Sequence, residues 1–327
     1  MQAFDYVRPT SPDAALAALG RDGKFIGGGT NLVDLMKAGV ETPQRLVDVN
    51  HLGLGKIEPT EAGGLRIGAG MRNSDLANDP QVREHYPLLS QALLDGASPQ
   101  LRNLATVGGN LMQRTRCDYF VDTGFAHCNK RNPGSGCAAR DGFNRYHAIF
   151  GASPACVAVH PSDQNVALLA LDASVIVRGQ GGERRIALND FHRLPGDKPE
   201  VDTTLKPGEL IVAVELPPSR AARHSRYIKL RERASYAFAL VSAGVALEVE
   251  DGTLRGGRIA LGSVAHKPWL AEKANALLPG QRLDALDFAA VSAAAIDGAI
   301  ALKENGYKIP LAQRAVERAL RAAAGVA

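Results

Sequence analysis

Four cysteines stand in a chain of 327 residues, all of them between Cys117 and Cys156. With Cys128 and Cys137 between the outer two, the spacing reads Cys-x10-Cys-x8-Cys-x18-Cys. Thiols pair as disulfides and thiolates ligate soft metals, so three chemistries suit the set: two disulfides, a four-thiolate zinc site, or a four-thiolate iron–sulfur cluster. Structural zinc and ferredoxin-type clusters both favour close Cys-x2-Cys pairs, and none occurs here, so spacing selects none of the three. The stretch is also basic. Arg102, Arg114, Arg116, Lys130, Arg131, Arg140 and Arg145 face only Asp118, Asp122 and Asp141, an excess of four positive charges. Cations lower thiolate pKa values and would offset the charge of an anionic cluster. His127 and His147 lie in the same stretch; with four sulfurs available, both read as surface residues or as neighbours of the ligands.

A second chemistry is signalled by two glycine turns. In "FIGGGTNLVDL", Gly27, Gly28 and Gly29 follow a short strand and precede a helix, and "ATVGGNL" repeats the idea with Gly108, Gly109 and Asn110. Glycines at such a junction let backbone N–H groups approach an anion. Neither turn is a Walker A loop, since no Gly-Lys-Ser/Thr follows, and Leu32 breaks the GxGxxG pattern. Two Gly-Gly turns, each with a nearby asparagine (Asn31, Asn110), suggest a pyrophosphate cradle without naming the nucleotide.

The elements that must position these groups fall into two textures. "SPDAALAALG" reads as a helix capped by Ser11, with Pro12 at its first position, and "NLVDLMKAG" as a helix ending at Gly39. "KFIGGG", "RLVDV", "GLRIGAG", "SVIVRG" and "ELIVAVELP" read as strands, and residues 82–95 and 162–172 have helical spacing. Strands separated by short helices through about residue 218 predict an α/β domain. Beyond "PPSRAARHSR", "FALVSAGVALEVEDGTLRGGRIALGSV" predicts two antiparallel strands turning through "EDGTLRGG". From Leu283 the alanine-rich chain predicts helix to the end. A boundary near 220 divides residues 1–220 from 221–327.

Composition excludes several classes. The chain is 45% hydrophobic and 22% charged, with 38 Lys+Arg against 34 Asp+Glu. That excess is too small, and too free of basic runs with aromatics, for a nucleic-acid binder. No apolar stretch approaches the ~20 residues of a membrane span. The first residues lack a charged n-region and apolar h-region, so a signal peptide on this chain is not expected. No G-x-S-x-G elbow occurs.

These residues resemble a known family. "KFIGGGTNL" and "SPQLRNLATVGGNL" resemble the two FAD-binding segments of the flavin subunit of molybdenum hydroxylases, the family of xanthine dehydrogenase, carbon monoxide dehydrogenase and aldehyde oxidoreductase. "HPSDQNVALLALDA", "GELIVAVELP", "YIKLRERASYAFALVSAGVAL" and "ALGSVAHKPWLAE" follow in that family's order. The cysteine insert, about residues 114–157, is similar to a [4Fe–4S]-holding loop in the bacterial periplasmic aldehyde oxidoreductase branch. The resemblance implies an α/β (α+β) fold: a PCMH-type FAD-binding domain of two subdomains, then a smaller domain with an antiparallel sheet and helices. It implies that Lys24, Phe25, Ile26, Gly27, Gly28, Gly29, Thr30, Asn31 and Leu32 form a first FAD loop, and Thr106, Gly109 and Asn110 a second. It places Asp163 at the ribose or adenosine side, Ile211 or Val212 at a backbone contact to adenine, and Lys229 beside the flavin ring. Cys117, Cys128, Cys137 and Cys156 become ligands of a [4Fe–4S] cluster.

The function so implied is electron transfer. A small [2Fe–2S] partner and a large molybdopterin-binding partner would deliver electrons to FAD on this chain, which passes them to an external acceptor; this chain supplies no catalytic base. The complex is expected in the periplasm, exported on a partner's signal, with the cytoplasm as the alternative. The rival readings are a self-sufficient FAD-dependent oxidase and a zinc-stapled nucleotide-binding module.

Overall fold

The computed structural model describes residues 1–326. Strands β1 (Asp5–Val7), β2 (Gly23–Ile26) and β3 (Arg45–Asp48) make a parallel sheet in the order β1-β3-β2. Its crossovers are the helices Pro12–Ala18 and Leu32–Lys37. The first is capped as its residues predict: Ser11 Oγ accepts from Ala14 N at 3.2 Å, and Pro12 fills the first turn, where its missing N–H costs nothing.

Strands β4 (Ile57–Pro59), β5 (Leu65–Gly68), β6 (Ser174–Gly179), β7 (Gly182–Ala187) and β8 (Leu210–Leu216) form a second sheet, ordered β4-β5-β8-β6-β7 and antiparallel throughout. The parallel βαβ pattern expected from the alternation of strands and helices is therefore confined to the first sheet. Strand β5 pairs with β8, so the second glycine turn, the insert and the helices between residues 73 and 191 all belong to one long excursion between these two strands. A third sheet, β12-β11-β10-β9, is a meander of β9 (Ser225–Leu230), β10 (Val241–Glu250), β11 (Thr253–Gly262) and β12 (Trp269–Leu270).

Three local expectations are corrected. Residues 82–95 are two helices, Pro80–His85 and Pro87–Asp95, because Tyr86 leaves helical geometry (φ −134°) ahead of a proline that restarts the helix. The β10–β11 turn is only Asp251 and Gly252, both at positive φ (50° and 71°), the geometry of a tight hairpin turn, so "TLRGG" is strand. The C-terminal region is not one helical run: helix Phe288–Ala295 ends, residues 296–307 are irregular, and helix Lys308–Ala324 follows.

The helix Lys308–Ala324 presents a buried stripe of Ala312, Ala315, Val316, Ala319, Leu320 and Ala323. The spacing i, i+3, i+4, i+7 fits one helical face, which packs on β10 and β9. Burying a side chain the size of Val316 or Leu320 contributes about 1.5–3 kcal/mol. A separate core of Ala15, Val47, Leu52, Ile176, Leu210, Val212 and Ala213 joins the first sheet to the second. A small one, Leu35, Phe120 and Cys128, seats the insert on helix Leu32–Lys37.

Candidate functional site

The two glycine turns pack against each other. A Cβ on Gly28 would lie 1.9 Å from Leu104 O, and one on Gly27 would lie 2.8 Å from Thr106 Oγ1. Only glycine permits that approach. Thr106 Oγ1 also accepts from Gly109 N at 3.1 Å, and Gly29, at φ 73°, turns the chain into helix Leu32–Lys37. Asn31 Oδ1 accepts from Arg114 N at 3.2 Å, and Asn110 Oδ1 from Ser162 Oγ at 2.7 Å, tying the turns to the chain on either side.

Beside them opens a cavity of about 560 Å³, within the range of small-molecule and cofactor sites. Thr30, Asn31, Gly109 and Asn110 line one wall; Asp163 and Gln164 from helix Asp163–Ala170, Lys229 from β9, and Tyr236 and Phe238 from the loop after β9 line others. Nine buried side-chain polar atoms lack a hydrogen-bond partner among the described residues, and five of them belong to residues of this cavity: Asn31 Nδ2, Asn73 Oδ1, Arg116 Nε, His147 Nδ1 and Gln164 Oε1. Buried polar groups are almost always satisfied, so such a concentration marks a ligand site.

Asp163 and Lys229 meet at the cavity. Lys229 Nζ lies 2.7 Å from Asp163 Oδ2 and 3.0 Å from Asp95 O, and Tyr227 OH donates to Asp163 Oδ1 at 2.5 Å. The pair is nearly dry, with 1% of the Lys229 and 9% of the Asp163 side chain exposed. Burial and the adjacent carboxylate hold the Tyr227 phenol well above its usual range. Lys229 thus reaches the cavity wall with its charge balanced locally by Asp163. Several expected cofactor residues lie off the cavity wall. Lys24 pairs with Glu41 at 2.6 Å, Phe25 packs on the core that joins the first sheet to the second, and Ile26, Gly27, Gly28, Gly29, Leu32 and Thr106 belong to the turns but not to the cavity wall. Ile211 and Val212 sit near the start of β8 with side chains in two different cores, and Val212 O already accepts from Ala69 N at 2.9 Å.

The insert folds around its sulfurs with little regular structure. Cys128 and Cys137 face each other across an isolated bridge, closed by Asn129 N to Gly136 O at 2.7 Å and Ala138 N to His127 O at 3.0 Å. All four cysteines are free thiols, and all four line one small cavity. No three His, Cys, Asp or Glu side chains among the described residues gather closely enough to hold a single metal ion.

The charge argument from sequence is overturned. Arg114 is bound to Asp202 at 2.9 Å and to Glu41; Lys130 pairs with Asp202; Arg131 donates to the carbonyls of Tyr119, Phe120 and Asp122; Arg145 pairs with Glu232. Most of the excess is spent on acids outside the insert or on carbonyls. Burial accordingly dominates at the sulfurs. It pushes the Cys117 thiol up to about 12 and Cys156 to about 11, the latter partly offset by Lys130. The two histidines take the two places expected of them: His127 is at the surface, and His147 is a buried neighbour of a cysteine, with Nε2 3.1 Å from Cys117 Sγ, where burial with nearby Lys308 pushes it down to about 4. Sequence reasoning missed Asn73, Arg116 and Gln164 as cavity residues; of these only Gln164, next to Asp163, carried any local signal.

A cavity of this size beside paired glycine turns, with an antiparallel C-terminal sheet after it, is the site of a nucleotide-cofactor protein. The chain belongs to the family of FAD-binding domains in molybdopterin dehydrogenases: the description "FAD binding domain in molybdopterin dehydrogenase" matches residues 2–219, and "CO dehydrogenase flavoprotein C-terminal domain" matches 226–323. It is a subunit of an oxidoreductase. The chain is similar to the aldehyde oxidoreductase FAD-binding subunit PaoB of Escherichia coli, 54% identical with 98% of each chain covered. It is 28% identical to the carbon monoxide dehydrogenase medium chain of Afipia carboxidovorans, over 97% of this chain and 96% of that one. Among solved structures, quinoline 2-oxidoreductase from Pseudomonas putida 86 superposes with a TM-score of 0.75 at 25% identity, covering 99% of this chain and 98% of the other.

Proposed function

We propose that this chain is the FAD- and [4Fe–4S]-carrying electron-transfer subunit of a molybdenum-dependent aldehyde oxidoreductase. Its partners are a small chain with [2Fe–2S] centres and a large molybdopterin-binding chain, and it delivers electrons to an external acceptor. The observation that carries the flavin is the cavity whose unsatisfied atoms, Asn31 Nδ2, Asn73 Oδ1, Arg116 Nε and Gln164 Oε1, ask for a large polar ligand. Thr30, Asn31, Gly109 and Asn110 would hold its phosphates, and the Asp163–Lys229 pair would meet its polar edge. FAD, once bound, supplies two-electron and one-electron chemistry; the chain's own part is to bind it and set its surroundings. The aldehyde substrate rests on likeness to the PaoB subunit, and assembly in the periplasm, exported on a partner's signal, rests on the resemblance of the insert.

For the insert, the donor set fits a cluster. Four unpaired thiols around one cavity favour shared ligation over two disulfides, and a single zinc would need all four within about 2.3 Å of one point. In a four-iron cluster each thiolate binds a different iron, so wider separation suits it. The space between the side chains is about 10 Å³, so occupancy requires the thiols to turn outward. Deprotonating thiols held near 11 and 12 makes binding release protons. Anaerobically purified protein should show both flavin and iron–sulfur absorption, with four iron and four sulfide per chain (one cubane). Protein with flavin and zinc but no iron refutes the cluster; protein without flavin refutes the whole reading. Cys128→Ser should lose most of the iron while keeping FAD.

A further inference from the structure

We propose that Arg116 is the countercharge of the cofactor's diphosphate and that it makes the site selective for a flavin dinucleotide. The proposal rests on the FAD reading above and is independent of what the cysteines hold: Arg116 lines the large cavity and not the cysteine cavity. A diphosphate brought into the cavity carries full negative charge. The glycine turns offer it N–H groups with partial charges only, and an anion taken out of water needs a cation as well.

Four cations stand on the cavity wall: Arg102, Arg116, Lys229 and Arg233. Three are already engaged. Lys229 is paired with Asp163 at 2.7 Å. Arg102 donates to Leu94 O at 3.1 Å and to Gly96 O at 2.8 Å, and Arg233 donates to Tyr236 O at 2.9 Å. Arg116 makes no hydrogen bond among the described residues, and its Nε is buried without a partner. The acid beside it, Asp34, lies at 4.0 Å, beyond hydrogen-bond length, with 62% of its side chain in solvent. Burial therefore holds the guanidinium below its usual pKa, and Asp34 offsets that only in part. With 27% of the Arg116 side chain still accessible, a ligand can reach it.

The placement fits the role. Arg114 N, two residues earlier, donates to Asn31 Oδ1 at 3.2 Å and fastens this segment to the first glycine turn. Asp34 belongs to helix Leu32–Lys37, which starts at that turn. From the other side the guanidinium lies over the Phe238 ring, 5.1 Å from its centroid. A guanidinium stacked on an aromatic face keeps its edge N–H groups free to fork onto phosphate oxygens.

The test uses the full-length chain stripped of flavin and titrated with FAD and with riboflavin, binding being read by flavin fluorescence. Arg116→Gln removes the charge, and Arg116→Lys keeps it. FAD affinity should fall about 10- to 150-fold in the Gln variant, the factor expected for a charge-assisted hydrogen bond. Riboflavin, which has no phosphate, should bind the Gln variant and the wild type alike, and the Lys variant should recover most of the FAD affinity. An unchanged FAD affinity overturns the proposal, and so does an equal loss for FAD and riboflavin, which would mean that Arg116 only shapes the cavity. A second measurement needs no variant. Phenylglyoxal, which modifies free guanidinium groups, should label Arg116 in the wild-type apoprotein, and FAD or ADP should protect it while riboflavin should not. Equal labelling with and without ADP overturns the proposal whether or not the variants fold. Wild-type apoprotein that binds no FAD would instead fail the reading on which the proposal rests.

Discussion

At the scale of single residues, the tightest constraint is Gly28. Its backbone lies against Leu104 O so closely that a Cβ would sit at 1.9 Å, and the obstacle is main chain, which cannot rotate away. Gly28→Ala should cost about 1–3 kcal/mol in the fit of the two turns, roughly a five- to 150-fold loss of FAD affinity. Equilibrium dialysis of the apoprotein against FAD measures it; an unchanged affinity would mean that the turns need not touch. The glycines and asparagines of both turns were legible because a strand–turn–helix junction is written in consecutive residues. Asn73, Arg116 and Gln164 were not, because only tertiary closure brings them to the cavity. His147 shows the same limit in another form: nothing in its neighbours along the chain indicates that residues 305 and 308 bury it.

At the scale of elements, the insert depends on a loop that the sequence did not connect with it. Asp202 receives Lys130, whose side chain is 1% exposed, as well as Arg114 at 2.9 Å, and Arg114 continues through Glu41 to Lys24 beside the first glycine turn. The two cations hold the Asp202 carboxyl far below the usual carboxylate range despite its burial. Asp202→Asn would strand Lys130 in a dry site, and breaking one side of such a pair costs about 3–5 kcal/mol. The thermal unfolding midpoint of the purified chain should fall accordingly; an unchanged Tm would show that the insert is held elsewhere. From sequence, the same lysine and arginines read as a field around the sulfurs. Their carboxylate partners lie some 70 residues away on either side, which is why counting charge within the segment misled.

At the scale of the whole molecule, acid stability is set by buried histidines away from the thiols. His192 and His266 are pushed down to about 4, chiefly by burial, with Lys267 adding at the first and Lys130 at the second, while Asp202 partly offsets both. In the unfolded chain they titrate near 6.5. Between those values the unfolded state binds more protons, so stability falls as pH drops from about 6.5 to about 4, by at most about 3 kcal/mol for each. Chemical denaturation at pH 7 and pH 5 should show that loss, and His192→Gln should reduce the difference between the two. Equal stability at both values would mean these rings are not neutral in the folded chain. The fold itself was largely legible: the element types, the late antiparallel sheet and the amphipathic last helix follow from periodicity. What was not legible was pairing. Strand β5 finds β8 rather than a sequence neighbour, and no local pattern announces a partner some 140 residues on.

The fastening of residues 144–148 by Glu304, Asn305 and Lys308 also bears on the order of events during synthesis. The cysteine segment leaves the ribosome long before the residues that lock it. About 150 residues separate Cys156 from Lys308, which is on the order of 10–30 s of translation. During that interval the four thiols are tethered but the segment behind them is not yet locked. Docking of the last helix then closes over residues 144–148, so any reagent that must reach these sulfurs meets them most freely on the nascent chain.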